Sequence, residues 1–419
     1  MERERATGTP LLLFDTGDAF LKNPEDAANA PLAELMTGAM VEGLGKIGYD
    51  ALNLGRADLV LAPELLRSLV ARAAFPLLSA NIVDAAGKPA FKPWIVREAG
   101  GLRVGIFGLS GNQPQGSPDL PGRTLVVQDA TAAARAAVAA LRPAADLVIA
   151  LTQLGLEGDV ALAREVPGID LILGGSLRQS TPAPRIEGTT LILHSGAKGM
   201  QLGRLGLQLL PGRAGAWTAR TQARGGEPRL YDWTLVPLNT SLPDHPALAA
   251  LLEHHREELH SRNLAEQKTL PPPPPPSPAN QAYVGAAACG ACHPAQLRQW
   301  AASKHARAFA ALERKRQELN PECVRCHVTA YGDNVGYRSG ATKDPDLRNV
   351  QCEACHGFGR EHRGKGKIRG SVSEVICRRC HSTENSPTFK YEPYLRLLGG
   401  HADRYFARQR TPAAAGQVR

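Results

Sequence analysis

All eight cysteines of this chain fall into one pattern, a Cys-x-x-Cys pair closed by histidine. The pattern occurs four times: Cys289-Gly290-Ala291-Cys292-His293, Cys323-Val324-Arg325-Cys326-His327, Cys352-Glu353-Ala354-Cys355-His356 and Cys377-Arg378-Arg379-Cys380-His381. Successive copies start 34, 29 and 25 residues apart, intervals too short for each copy to close an apolar core of its own. Two thiols and an adjacent imidazole are what a c-type haem needs: thioethers to its vinyl groups and a proximal iron ligand. The competing use of paired Cys-x-x-Cys is a four-thiolate zinc site. Histidine supplies only 12 of 419 residues yet follows all four pairs, and an all-thiolate zinc site has no use for it. The expected cofactors are therefore four covalently bound haem c (iron), with the porphyrins serving as the core of this region. His293, His327, His356 and His381 are the expected proximal ligands.

Sixth ligands can be narrowed by elimination. All four methionines (Met1, Met36, Met40, Met200) precede the motifs, so a local thioether is excluded and histidine is the default. Three histidines of this region lie outside the motifs: His305, His362 and His401. Four irons and three candidates leave one iron short. His254, His255 and His260 lie upstream in a helical pattern and read first as a polar helix face, with distal ligation as the second reading.

The net charge of +9 suggests nucleic acid until it is divided. Residues 281–419 hold 23 Lys and Arg against 12 Asp and Glu, whereas residues 1–280 hold 26 against 28. Haem propionates would offset much of the basic excess, so redox partner proteins are expected and nucleic acid is not. No run of about 18 apolar residues is present to span a membrane. Covalent haem attachment in bacteria resembles a periplasmic process, so a periplasmic or exported location is expected. Residues 1–10 contain Glu and Arg, and the apolar run Leu11–Phe14 is too short for a signal peptide, so the start of the protein is expected upstream.

Pro271–Pro276 is an unbroken proline run followed by Ser277 and Pro278. It reads as an extended spacer, because proline donates no backbone hydrogen bond. Before it, apolar runs at 11–14, 51–54, 75–80, 104–108, 147–152, 169–174 and 190–194 read as strands. Patterns at 32–47, 63–73, 130–141 and 160–166 read as intervening helices, and 246–262 as one more. The expected organisation is an α/β layered domain over 1–240, a helix and proline-rich linker over 241–280, and a mostly α, loop-rich multihaem domain over 281–419.

The phrases LLLFDTGDAF (11–20), LGKIGYDALNLGRADL (44–59), FPLLSANI (75–82), LRVGIFGLSG (102–111) and DLVIALTQLG with VPGIDLILGG (146–175) resemble the metallophosphoesterase domain of the 5′-nucleotidase and UDP-sugar hydrolase family. That resemblance implies a two-metal site built from Asp, His and Asn ligands. Asp18 matches its metal-bridging aspartate, but the first Asp-x-His motif has no counterpart here. Gly55-Arg56-Ala57-Asp58 stands where the family has Gly-Asn-His-Glu/Asp, Gln153 where it has His, and Gly174-Gly175-Ser176-Leu177-Arg178 where it has Gly-Gly-His-x-His. Arg56 and Arg178 bring positive charge to a cation site. The domain therefore reads as metallophosphoesterase-like but degenerate, a pseudoenzyme with no catalytic residues. Alternatives are a mononuclear site at Asp18 and Asp58, or an anion held by the two arginines.

Tyr283-Val284-Gly285, Trp300-Ala301-Ala302-Ser303-Lys304-His305, CVRCHVTAYG (323–332), VQCEACHGFGREH (350–362) and CRRCH (377–381) resemble the tetrahaem cytochrome c family that accepts electrons from hydroxylamine oxidoreductase. The resemblance implies electron transport and, in that family, one five-coordinate haem. His305 and His362 match the family's distal spacing. Three functions are expected in order: a periplasmic electron carrier with an inactive scaffold or docking domain, a haem-based oxidoreductase reducing a small nitrogen or sulfur compound at an open iron, and an active 5′-nucleotidase-like hydrolase with a redox appendage.

Overall fold

The computed structural model describes residues 2–21, 27, 30–111, 125–175, 180–207, 231–239, 241–269, 283–333, 336–337, 346–360, 362, 368, 372–382 and 385–398. Packing divides the chain into two compact units, Met1–Leu252 and Glu253–Arg419.

The first unit opens with α1 (Glu2–Ala6), β1 (Phe14–Asp15), α2 (Ala30–Ile47), β2 (Ala51–Asn53), α3 (Pro63–Arg72), β3 (Leu77–Leu78) and β4 (Ile82–Val83). It continues through β5 (Trp94–Ala99), β6 (Leu102–Leu109), β7 (Val126–Val127), α4 (Ala130–Leu141), β8 (Leu147–Thr152), α5 (Gly155–Glu165), β9 (Leu171–Gly174), β10 (Arg185–Glu187) and β11 (Thr190–His194). A hairpin of β12 (Gln201–Leu207) and β13 (Tyr231–Pro237) precedes α6 (Pro246–Thr269).

Two sheets stack face to face. One is the parallel trio β1-β2-β3, and the other runs β10-β11-β9-β8-β6-β5. Strand β8, Leu-Val-Ile-Ala-Leu-Thr, is buried at every position, as a strand covered on both faces must be. Ala51 and Leu78 of the small sheet share one cluster with Ile95, Ile106, Ile149, Leu171 and Leu193 of the large one. Outside the large sheet, Ala134, Ala137, Val138 and Leu141 of α4 pack on Phe107, Val148 and Ile172 together with Val160 and Leu162 of α5. The recurrence of α4's apolar side chains at helical spacing selects that face, and Asp129 caps the helix by accepting from Ala132 N at 2.7 Å. Outside the small sheet, Val41 and Leu44 of α2 and Leu66 and Leu69 of α3 cover Leu52 and Leu77. The result is an α/β/β/α layered unit, which sets the loops at the strand ends side by side.

The second unit is helical in short pieces: α7 (Gly285–Gly290), α8 (Pro294–Ala302), α9 (Ala308–Glu313), α10 (Pro321–His327), α11 (Cys352–His356), α12 (Glu374–Arg378) and α13 (Tyr391–Leu397). Each Cys-x-x-Cys-His motif begins in one of these turns. Its clustered apolar core among the described residues is small, formed by Phe309, Leu312, Val324, Val328, Tyr337 and Leu347. From Glu253 onward α6 belongs to this unit: Leu259 is buried, Glu257 pairs with Arg316 at 3.2 Å, and Asn263 Nδ2 donates to Leu319 O at 3.3 Å. The helix thus runs past the expected end at 262, and the proline run 271–276 lies outside the described residues.

Candidate haem-binding site

The structure brings together histidines that are far apart in sequence. The rings of His293 and His362 lie 6.1 Å apart, centre to centre, with planes 11° apart. The rings of His305 and His381 also lie 6.1 Å apart, with planes tilted by 50°. Metal–imidazole bonds of about 2 Å put two axial nitrogens about 4 Å apart and their ring centres about 6 Å apart. Both pairs therefore fit the two faces of one iron. His362 follows the third motif yet faces the histidine of the first, and His305 follows the first yet faces that of the fourth. His401 lies outside the described residues.

Local contacts fix these rings. Trp300 Nε1 donates to Val350 O at 2.8 Å, and Val350 N donates to His305 O at 3.2 Å, so the segment carrying His305 is tied to the strand-like approach to the third motif. Burial, followed by the neighbouring His381 and His327, pushes the His305 ring below the usual histidine range, and burial does the same for His381. Both effects favour the neutral imidazole that a metal requires. His327 Nδ1 bonds Ala308 O at 2.6 Å, the contact made by a ring N–H, which leaves Nε2 for a ligand. Phe389 stacks on His381 at 4.7 Å and 14°, and Tyr394 meets its edge at 5.6 Å.

The thiols also pair across motifs. Cys289 bonds Cys352, lowering the Cys352 thiol to about 7 while Cys289 is pushed up, and Cys380 is likewise raised by its bond to Cys326. Motif one thus adjoins motif three, and motif two adjoins motif four. His254, His255 and His260 sit on α6, where the Nδ1 atoms of His255 and His260 are buried and His260 Nδ1 lies 3.8 Å from Glu318. The sequence reading missed Gln351 and Glu353, which flank Cys352 and are both buried. A charged residue at a variable position of the motif was their one available signal.

In the first unit, the residues at the phosphoesterase motif positions are bound to backbone. Asp58, fully buried, accepts from Asp18 N at 2.9 Å, Gly55 N at 2.8 Å and Phe20 N at 3.2 Å. Asp18 Oδ1 accepts from Ala57 N at 2.7 Å, and a Cβ at Gly55 would overlap that carboxylate, so the glycine is what allows the approach. Gln153 Nε2 donates to Gly17 O at 2.9 Å. Among the described residues, no three His, Cys, Asp or Glu side chains gather to hold a metal. Ser176 and Arg178 lie outside the described residues. Beneath Gly174, His194 and Asp159 form a buried pair at 2.8 Å, and Thr152 Oγ1 donates to Asp159 at 2.6 Å.

Comparison with known proteins bears out both resemblances. The family model described as cytochrome c554 and c-prime matches residues 288–357. Cytochrome c-554 of Nitrosomonas europaea is 33% identical over 111 residues, covering 23% of this chain and 47% of that protein. The 5′-nucleotidase of Vibrio cholerae is 29% identical over 257 residues, covering 56% of this chain and 45% of that protein. Among solved structures, the sulfate thiohydrolase SoxB of Thermus thermophilus aligns with a TM-score of 0.52 at 25% identity, covering 65% of this chain and 46% of that one. The chain spans less than half the length of each of these relatives. Its second region is cytochrome c554-like, with the haem c chemistry that this implies, and its first has a 5′-nucleotidase-like, metallophosphoesterase fold. No helix among the described residues is long and apolar enough to cross a membrane.

Proposed function

We propose that the chain is a periplasmic or exported tetrahaem electron carrier whose first domain (1–240) is a catalytically silent scaffold or docking module, joined through 241–280 to a haem domain at 281–419. The observation that carries this reading is the pair of 6.1 Å histidine couples, His293 with His362 and His305 with His381, each spaced for one iron. Haem c, when bound, supplies one-electron chemistry. The chain's own work is to hold imidazoles on both faces, to cover that of His381 with Phe389 and Tyr394, and to bring the motifs together in pairs so that electrons pass over short gaps. Bis-histidine ligation sets the potentials low. Silence of the first domain is supported by Asp58, whose carboxylate is occupied by three backbone amides, and by Arg56, Ala57 and Gln153 at positions where two-metal chemistry needs ligands.

If His305, His362 and His401 are the only distal ligands, about a quarter of the oxidised haem is high-spin, the rest low-spin. Electron paramagnetic resonance of the oxidised protein measures the ratio. Four low-spin irons would overturn that ligand count and direct attention to His255 and His260 of α6. A high-spin iron that also binds and turns over a small nitrogen or sulfur oxyanion would replace the carrier reading with the oxidoreductase one.

A further inference from the structure

Glu353 sits in the third attachment motif, between Cys352 and Ala354, and is only 2% exposed. Its carboxylate reaches out of that motif to the segment leading into the first. Oε1 and Oε2 each accept from Val284 N at 3.0 Å, Oε2 accepts from Gly285 N at 2.8 Å, and Oε1 accepts from Gly359 N at 2.6 Å. Gln351, on the other side of Cys352, extends the same grip: its Oε1 accepts from Ala286 N at 2.5 Å, and its Nε2 donates to Asp346 O at 2.6 Å and Arg348 O at 2.8 Å. Val284, Gly285 and Ala286 open α7, the turn that carries Cys289. The consequence is visible in the thiols, because Cys289 and Cys352 come into hydrogen-bond contact.

From these contacts we infer that Glu353 is the positioning and potential-setting residue of the first and third haems. Its side chain clamps the two attachment loops together and so fixes the spacing of the two porphyrins. Its buried negative charge lies beside both attachment sites, where low polarity strengthens its field. A carboxylate there stabilises the ferric state of both irons and lowers their midpoint potentials together. Three backbone N–H donors, those of Val284, Gly285 and Gly359, hold the charge in place without carrying an opposite full charge. Among the described residues, the hydrogen bonds to this carboxylate come from backbone amides.

This inference rests on the proposal that all four motifs carry haem, and haem content per chain is therefore measured first. Too few haems in the unmutated protein would defeat that proposal and leave Glu353 without a role. With four haems present, the test is spectroelectrochemical titration of Glu353→Gln. The expected result is an upward shift of two of the four potentials, those of the haems ligated by His293 and His356, with the other two unmoved and low-spin ligation by His293 and His362 retained. Four unshifted potentials, or four shifted equally, would overturn the inference. Because Glu353→Gln turns an amide N–H toward backbone donors and can prevent maturation, Glu353→Asp provides the second variant. It keeps the charge while stretching the clamp, so a lower melting temperature with wild-type potentials is expected. A rise in the two potentials with the charge still present would show that packing alone sets them and would overturn the electrostatic role.

Discussion

At the scale of single residues, function follows from what each side chain touches. His305 is held by its loop and faces His381, so on the proposed ligation its replacement by alanine removes one axial ligand. No methionine exists downstream of Met200 to take its place. His305→Ala is expected to convert one low-spin iron to high-spin, read by electron paramagnetic resonance, while the His293 and His362 couple keeps its signal. Asp58 offers a different test. Burial, with the nearby Asp18 charge adding to it, pushes its carboxyl up to about 7. The unfolded value is near 3.9, so the folded state binds this proton more tightly. Stability from this group is thus fully present below about pH 4 and is lost as pH rises through about 7, by up to about 4 kcal/mol. Asp58→Asn removes the titration, and the melting temperature of the first unit should then vary less over that window. An unchanged pH profile would contradict the assignment.

At the scale of elements, the sequence was most legible where burial is complete and the period unbroken. Helix α4 and strands β8 and β11 begin and end where their apolar patterns do. Strand β5, Trp-Ile-Val-Arg-Glu-Ala, was missed because it is an edge strand exposed at three central positions, leaving no alternation to read. Helix α5 starts five residues before its pattern because Gly155 and Gly158 mask its first turn. In the second unit the motifs point to the proposed haem and its proposed proximal ligands, but not to which distant histidine faces which motif. That pairing is a property of loop packing, set by contacts such as Trp300 to Val350, which carry no sequence period. The cap of α4 gives an element-scale expectation. Asp129→Ala should cost the first unit about 1 kcal/mol, seen as a lower melting temperature with unchanged haem spectra.

At the scale of the whole molecule, a layered phosphoesterase-like unit and a small-cored second unit share one chain. Among the described residues, the first unit packs three apolar clusters and the second a single one of six buried side chains; on the proposed function, bound haem supplies the rest of the second unit's core. Nucleotides and sugar nucleotides incubated with the protein and added manganese or cobalt should release no phosphate. Turnover abolished by Asp18→Ala would contradict the silent-domain reading. The central claim is that the four motifs build a tetrahaem cytochrome, and the most direct test is the pyridine haemochrome content of the mature protein divided by its concentration. Four covalent haems per chain are expected, whereas a colourless protein with zinc bound at its cysteines would contradict the claim.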